Sequence, residues 1–172
     1  PFRRTDLVYL LYGNIYMNIT GRCSNRCRFC IKDRADGIGG YYLAHHEEPL
    51  EGILESIIET LSPRMGEELV FCGYGEPTMR PELLRRLARR AADRAKFGGH
   101  HNNGTCLSWL SHEETVLLLE PFDAVSISLN TSCAEEYNTI CRPADGNAWD
   151  RLMEFIELAG RLAFVSLTAV RY

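Results

Sequence analysis

Cys23, Cys27 and Cys30 lie within RCSNRCRFC, a C-x3-C-x2-C spacing interleaved with Arg22, Arg26 and Arg28. Three thiolates from one short loop can face a common point, which is metal chemistry. Structural zinc needs a closed shell of four donors, so a fourth ligand would come from elsewhere, with His45 or His46 as candidates. A [4Fe–4S] cluster on three thiolates leaves one iron open to a small molecule. Simple buried thiols are the remaining option. Phe29, just ahead of the third cysteine, can shield a cluster from water and pack beside a bound ligand. A second stretch, CGYGEPT at 72–78, has glycines that let the backbone approach a ligand closely. By itself it also reads as a strand-to-helix turn.

The elements that must position these residues alternate. IYMNIT (15–20), ELVFCG (68–73), AVSISLN (124–130) and AFVSLTAV (163–170) are strand-like, with a weaker strand at 99–103. PLEGILESIIETL (49–61) puts Leu50, Ile53, Leu54, Ile57, Ile58 and Leu61 on one helix face, and PELLRRLARRAADRAKF (81–97) opens on a favoured first-turn proline. Weaker helices follow at 112–120 and 148–160. Strand–helix alternation predicts an α/β fold: a partial (βα) barrel with a parallel sheet of five to six strands and outer helices. Chemistry in such folds sits at the carboxyl ends of the strands, where both motifs fall. Residues 21–48 form the longest expected loop.

At 172 residues, 45% hydrophobic and 24% charged, the chain suits one domain over 1–172. Seven cysteines, three of them clustered, fit metal binding better than a regular disulfide framework, and no signal peptide is read at the amino end. A cytoplasmic protein without a membrane span is expected. The net charge of −4 disfavours a broad nucleic-acid footprint, although nucleic acid is a possible partner. Arg85, Arg86, Arg89, Arg90 and Arg94 can be read as a phosphate-binding row or as a solvated helix face, and the acidic whole favours the second.

The cysteine spacing with its preceding aromatic resembles the signature of the radical S-adenosylmethionine (SAM) superfamily. GYGEP (73–77) resembles that family's Gly-Gly-Glu-Pro motif, with Tyr74 replacing one glycine. NNG (102–104) resembles its Thr-Asn-Gly turn, and Arg142 in YNTICRP resembles an arginine that follows the fourth strand in many members. With GNIYMNIT, FCIKDRADGIGGYYL and SISLN added, the pattern is most similar to the small TatD-associated radical SAM proteins, from about Gly13 to Val170.

The resemblance implies that Cys23, Cys27 and Cys30 hold a [4Fe–4S] cluster whose open iron chelates SAM. One electron from the reduced cluster then cleaves SAM, and a 5′-deoxyadenosyl radical takes hydrogen from a substrate the sequence does not identify. It further implies that Gly73, Tyr74, Gly75 and Glu76 hold SAM's amino group, with Asn103 beside them. Ser128 and Asn130 would bond its ribose or carboxylate, Arg142 would pair with the carboxylate, and Val170 would touch adenine through its backbone. The basic cysteine loop suits an acidic flavodoxin- or ferredoxin-like electron donor. Other readings are an activase for glycyl-radical enzymes and a non-catalytic zinc module. Six βα units are usual in the family, so a domain stopping before a sixth strand is expected here. His100 and His101 are candidates for proton transfer; Cys72 is read as packing, and an auxiliary cluster on Cys106, Cys133 and Cys141 is disfavoured.

Overall fold

Six strands form one sheet in the order β1-β2-β5-β6-β7-β8 in a computed structural model that describes residues 4–45, 47–61, 68–92 and 98–171. β1 (Val8–Leu11) and β2 (Asn14–Met17) make an antiparallel hairpin. Its turn, Tyr12–Gly13, has both φ angles positive (53° and 83°), the geometry that matches strand twist in two-residue hairpins. From β2 the sheet is parallel through β5 (Leu69–Phe71), β6 (Gly98–Asn102), β7 (Ala124–Ser128) and β8 (Phe164–Thr168). Each parallel strand pairs with the next one in sequence, so the sheet is an arc of a (βα) barrel, left open between β1 and β8.

Strand alternation sorts the two faces. Ile15, Met17, Leu69 and Phe71 pack against Leu54 and Ile58 of α1 (Glu51–Thr60) and Leu83, Leu84 and Leu87 of α2 (Pro81–Ala91). Leu118 of α3 (His112–Leu119) closes that layer. Val125 and Ile127 pack with Tyr137 and Cys141 of α4 (Ala134–Cys141) and Leu152 and Phe155 of α5 (Ala148–Ala159). Among the described residues, no helix is long and apolar enough to cross a membrane.

Three features differ from the sequence expectation. The sixth strand of the sheet is the antiparallel β1, whose short DLVYLL run reads as a mere lead-in. Helix α4 was not anticipated, because its apolar positions span only eight residues. The 21–48 loop contains a 3-10 turn at Ile31–Asp33 and a small hairpin, β3 (Gly37–Ile38) with β4 (Tyr41–Tyr42). That hairpin is docked by Asp6, whose N–H donates to the Tyr42 carbonyl at 2.7 Å and whose Oδ2 accepts from the Tyr42 N–H at 2.8 Å.

Three arginines of the α2 face, Arg86, Arg89 and Arg90, are neutralised by glutamates. Arg86 pairs with Glu51 and Glu55, Arg90 with Glu55 and Glu59, and Arg89 with Glu120. Such exposed pairs contribute little stability, but they use charges that a phosphate backbone would need. Arg94 and residues 93–97 of the expected second helix lie outside the described residues.

β6 also separates its two histidines. His101 pairs with Ser126 on the face away from the helices, while His100 is 1% exposed, with its ring 4.4 Å from that of Phe122. Burial pushes His100 down to about 3 from an ordinary 6.5. Its stabilising contribution is therefore full above pH 6.5. Below that the unfolded chain takes up the proton and the contribution falls, by about 1.4 kcal/mol per pH unit. Urea unfolding at pH 7 and pH 5 should show the wild type losing about 2 kcal/mol relative to His100→Leu. Equal losses in the two proteins would refute this.

Candidate active site

The site is built on the carboxyl ends of β2, β5, β6 and β7. After β2 the chain runs through Asn18, Ile19 and Thr20 into the cysteine loop, and the GYGEP turn after β5 is pressed against that segment. A Cβ on Gly73 would lie 2.0 Å from Asn18 Oδ1, and one on Gly75 would lie 2.3 Å from the Thr20 carbonyl oxygen and 2.5 Å from that of Arg22. Only glycine allows this approach. Two hydrogen bonds join the segments: the Tyr74 N–H donates to Asn18 Oδ1 at 3.3 Å and the Glu76 N–H to the Arg22 carbonyl at 2.7 Å. Tyr74's side chain turns away into a cluster with Tyr9 and Leu43, and its hydroxyl donates to the Ala35 carbonyl at 2.6 Å. Its backbone is what remains at the turn.

Glu76 is 2% exposed and fully engaged. Oε1 accepts from the Thr78 N–H (3.1 Å) and hydroxyl (2.7 Å), and Oε2 from the Asn103 N–H (2.6 Å). Burial still pushes its carboxyl up to about 7, with those three bonds acting in the opposite direction. The carboxylate thus ties the β5 turn to the β6 turn. Asn103 continues the network: its amide donates to Ser24 Oγ at 3.0 Å and reaches Cys23 Sγ at 3.8 Å, while its oxygen accepts from Thr105. Gly104, with φ +75°, has no room for a Cβ, which would stand 2.1 Å from Leu152 Cδ1.

The cysteine loop is seated on the end of α4. Arg26 N–H donates to the Cys141 carbonyl at 3.0 Å, Arg28 N–H to that of Ile140 at 2.9 Å, and Ala144 N–H to that of Ser24 at 2.9 Å. Asn25 bridges Pro143 in antiparallel fashion and donates to the Tyr137 hydroxyl at 3.1 Å. Cys23 is exposed, and Cys27 and Cys30 are half-buried. The proximity of the Cys27 and Cys141 thiols holds Cys27 above the usual thiol range and Cys141 below it. Phe29 packs with Cys27 against the α4–α5 core.

The other sequence candidates are distributed around this network. Asn130, at φ +62°, donates to the Ser128 carbonyl (3.2 Å) and to Cys141 Sγ (3.8 Å), and its oxygen accepts from the Val170 N–H (3.3 Å). Ser128 is half-buried on the helix-free face. Arg142 is exposed at φ +47° just after α4, and among the described residues it forms no ion pair. His45 packs beside Gly21, whose added Cβ would stand 3.1 Å from the His45 Cβ, and its Nε2 is buried without a hydrogen-bond partner. His46 lies outside the described residues. Ser24, Thr78, Thr105 and Cys141 were not anticipated as members of the network. Their one sequence signal is polarity near the strand ends, and only the fold brings them together.

The donor set fits an iron–sulfur cluster. Three thiols stand on one loop, and no trio of His, Cys, Asp or Glu side chains among the described residues converges on a single-ion point. A cluster spreads its thiolates over separate irons, whereas zinc gathers four donors at about 2.0–2.3 Å.

The family model described as Radical SAM superfamily matches residues 17–171. No curated protein sequence matches the chain. Among solved structures, native anSMEcpe with bound AdoMet (SAM) superposes with a TM-score of 0.60 at 16% identity, over 90% of this chain and 42% of that one. TYW1 with a lysine–pyruvate adduct bound gives 0.58 at 16%, over 89% and 53%. BtrN in complex with AdoMet and 2-DOIA gives 0.54 at 14%, over 88% and 54%. The chain therefore spans about half the length of these structures or less.

The close approach at Gly75 is directly testable. Gly75→Ala should destabilise the protein by about 2–4 kcal/mol in urea unfolding, because the added methyl would clash with the Thr20 and Arg22 backbone. Gly52→Ala, in an open position on α1, should be neutral or stabilising by up to about 1 kcal/mol. Similar effects at the two sites would show that the β5 turn is not pressed against the cysteine loop.

Proposed function

The chain belongs to the radical SAM superfamily, and on that premise we propose that Cys23, Cys27 and Cys30 hold a [4Fe–4S] cluster and that the network around Glu76 and Asn103 holds SAM beside it. When bound there, the cluster would supply the electron for reductive cleavage of SAM, the chemistry that lets hydrogen be taken from a substrate. The chain's own residues bind and orient. The backbone of Gly73, Tyr74 and Gly75 lies closest to the cysteine loop and offers main-chain groups to the amino group of SAM. Glu76 keeps that turn and the β6 turn at fixed separation, acting through its hydrogen bonds. Among the described residues Arg142 forms no ion pair, and Ser128 and Arg142 are polar side chains available to the ribose and carboxylate. Asn130 holds the β8 end, so that the Val170 backbone lies on the adenosine side.

The observation that carries this reading is the hydrogen-bonded path Glu76–Asn103–Cys23. It joins the Gly-Glu-Pro turn to a proposed cluster ligand through one intervening residue. A zinc module gives that path no role.

Arg22, Arg26, Arg28, Lys32 and Arg34 are exposed around the cysteines, and among the described residues none is in an ion pair. Their charge favours the reduced cluster and suits an acidic flavodoxin- or ferredoxin-like electron donor. On the helix-free face, the paired row of His101, Ser126 and Ser166 is open to a substrate.

Anaerobic reconstitution with iron and sulfide should give a brown protein. With a reductant and SAM it should form 5′-deoxyadenosine, detected by mass spectrometry, and Cys27→Ala should reduce the product to background. A colourless protein that takes up zinc instead would overturn the proposal.

A further inference from the structure

Cys27 faces a second cysteine that no part of the radical reaction uses. Next to the isolated bridge between Asn25 and Pro143, Arg26 N–H lies on the Cys141 and Arg142 carbonyls at 3.0 and 3.2 Å and Arg28 N–H on that of Ile140 at 2.9 Å, at the last turn of α4. Cys27 is therefore placed opposite Cys141. The Cys27 side chain packs against the buried cluster that contains Cys141. Cys141 is 0% exposed at the last turn of α4, and its sulfur is held from the other side by Asn130 Nδ2 at 3.8 Å. Cys27 is half-exposed and within reach of solutes.

We propose that Cys27 and Cys141 form a reversible disulfide when the chain lacks its cluster and meets hydrogen peroxide. The inference rests on the assignment of Cys27 as a cluster ligand only for its consequence, since the linkage itself needs no metal. Peroxide oxidises Cys27 to the sulfenic acid and one water leaves. The Cys141 sulfur then attacks the Cys27 sulfur, the S–S bond forms and a second water leaves. One peroxide thus removes two electrons and two protons from the pair. The bond closes the cluster site and stops Cys27 before the irreversible sulfinic stage. A dithiol reopens it by exchange, and the ligand thiol returns for cluster insertion.

The test uses the full chain prepared without iron and sulfide. It is exposed to equimolar hydrogen peroxide, its free thiols are alkylated, and the digest is mapped by tandem mass spectrometry. A peptide pair linked through Cys27 and Cys141 should dominate, and dithiothreitol should restore both thiols together with iron uptake at the untreated level. In Cys141→Ser, Cys27 should pass to sulfinic acid and iron uptake should not recover. Linkage of Cys27 to Cys23 or Cys30, or full alkylation of Cys141 after peroxide, would overturn the proposal. The map of the wild-type protein decides this without the variant. Untreated protein that takes up no iron would defeat the cluster assignment alone and leave the linkage readout intact.

Discussion

A buried carboxylate holds the upper rim of the sheet together. Glu76 lies almost out of contact with water, and each oxygen is satisfied by groups from a different turn: Thr78 after β5 and the Asn103 amide after β6. Burying a carboxyl without donors costs several kcal/mol, so this residue persists only because the two turns supply them. The dependence runs both ways, since the turns have no other direct side-chain link as short as the 2.6 Å bond to Asn103. Asn103 in turn orients Ser24 and Cys23, so the position of a proposed cluster ligand follows from a carboxylate just after β5.

The second support is α4. Without it the cysteine loop would have few anchors, because β2 ends at Met17 and the hairpin β3–β4 packs towards the tyrosines of the first two strands. Tyr137, Ile140 and Cys141 turn inward from one short helix, and their backbone carbonyls and side chains receive the loop. The same contact places a buried thiol against Cys27. Asn130 connects that thiol to the end of β8 through Val170. The site is therefore framed by two hydrogen-bonded paths, one from Glu76 to Cys23 and one from Val170 to Cys141.

Glycine placement explains why Tyr74 is tolerated where the family resemblance has glycine. Gly73 and Gly75 are the positions at which backbone meets backbone or Asn18, and each keeps its hydrogen there. Tyr74, between them, points to the opposite side and fills the space under the β3–β4 hairpin. Its hydroxyl ties that hairpin to the turn, so the substitution adds a support to the site without narrowing it.

Much of this was legible in the sequence because it is local. The C-x3-C-x2-C spacing, the Gly-Glu-Pro turn and the apolar faces of α1 and α2 are set within a few residues, where side-chain chemistry and helical or strand periodicity act directly. They determined the family, the α/β class and the end of the sheet where the site lies. What only the tertiary structure decided is which polar groups meet. The carboxylate of Glu76 meets Asn103 and Thr78, groups from two different turns. His100 and His101 looked equivalent until strand alternation sent one into the core. Helix α4 is too short for its periodicity to stand out, and the pairing of Cys27 with Cys141 depends on a register between segments far apart in the chain. Long-range register is fixed by the summed packing of the whole sheet and its helices, and no short stretch of residues encodes it.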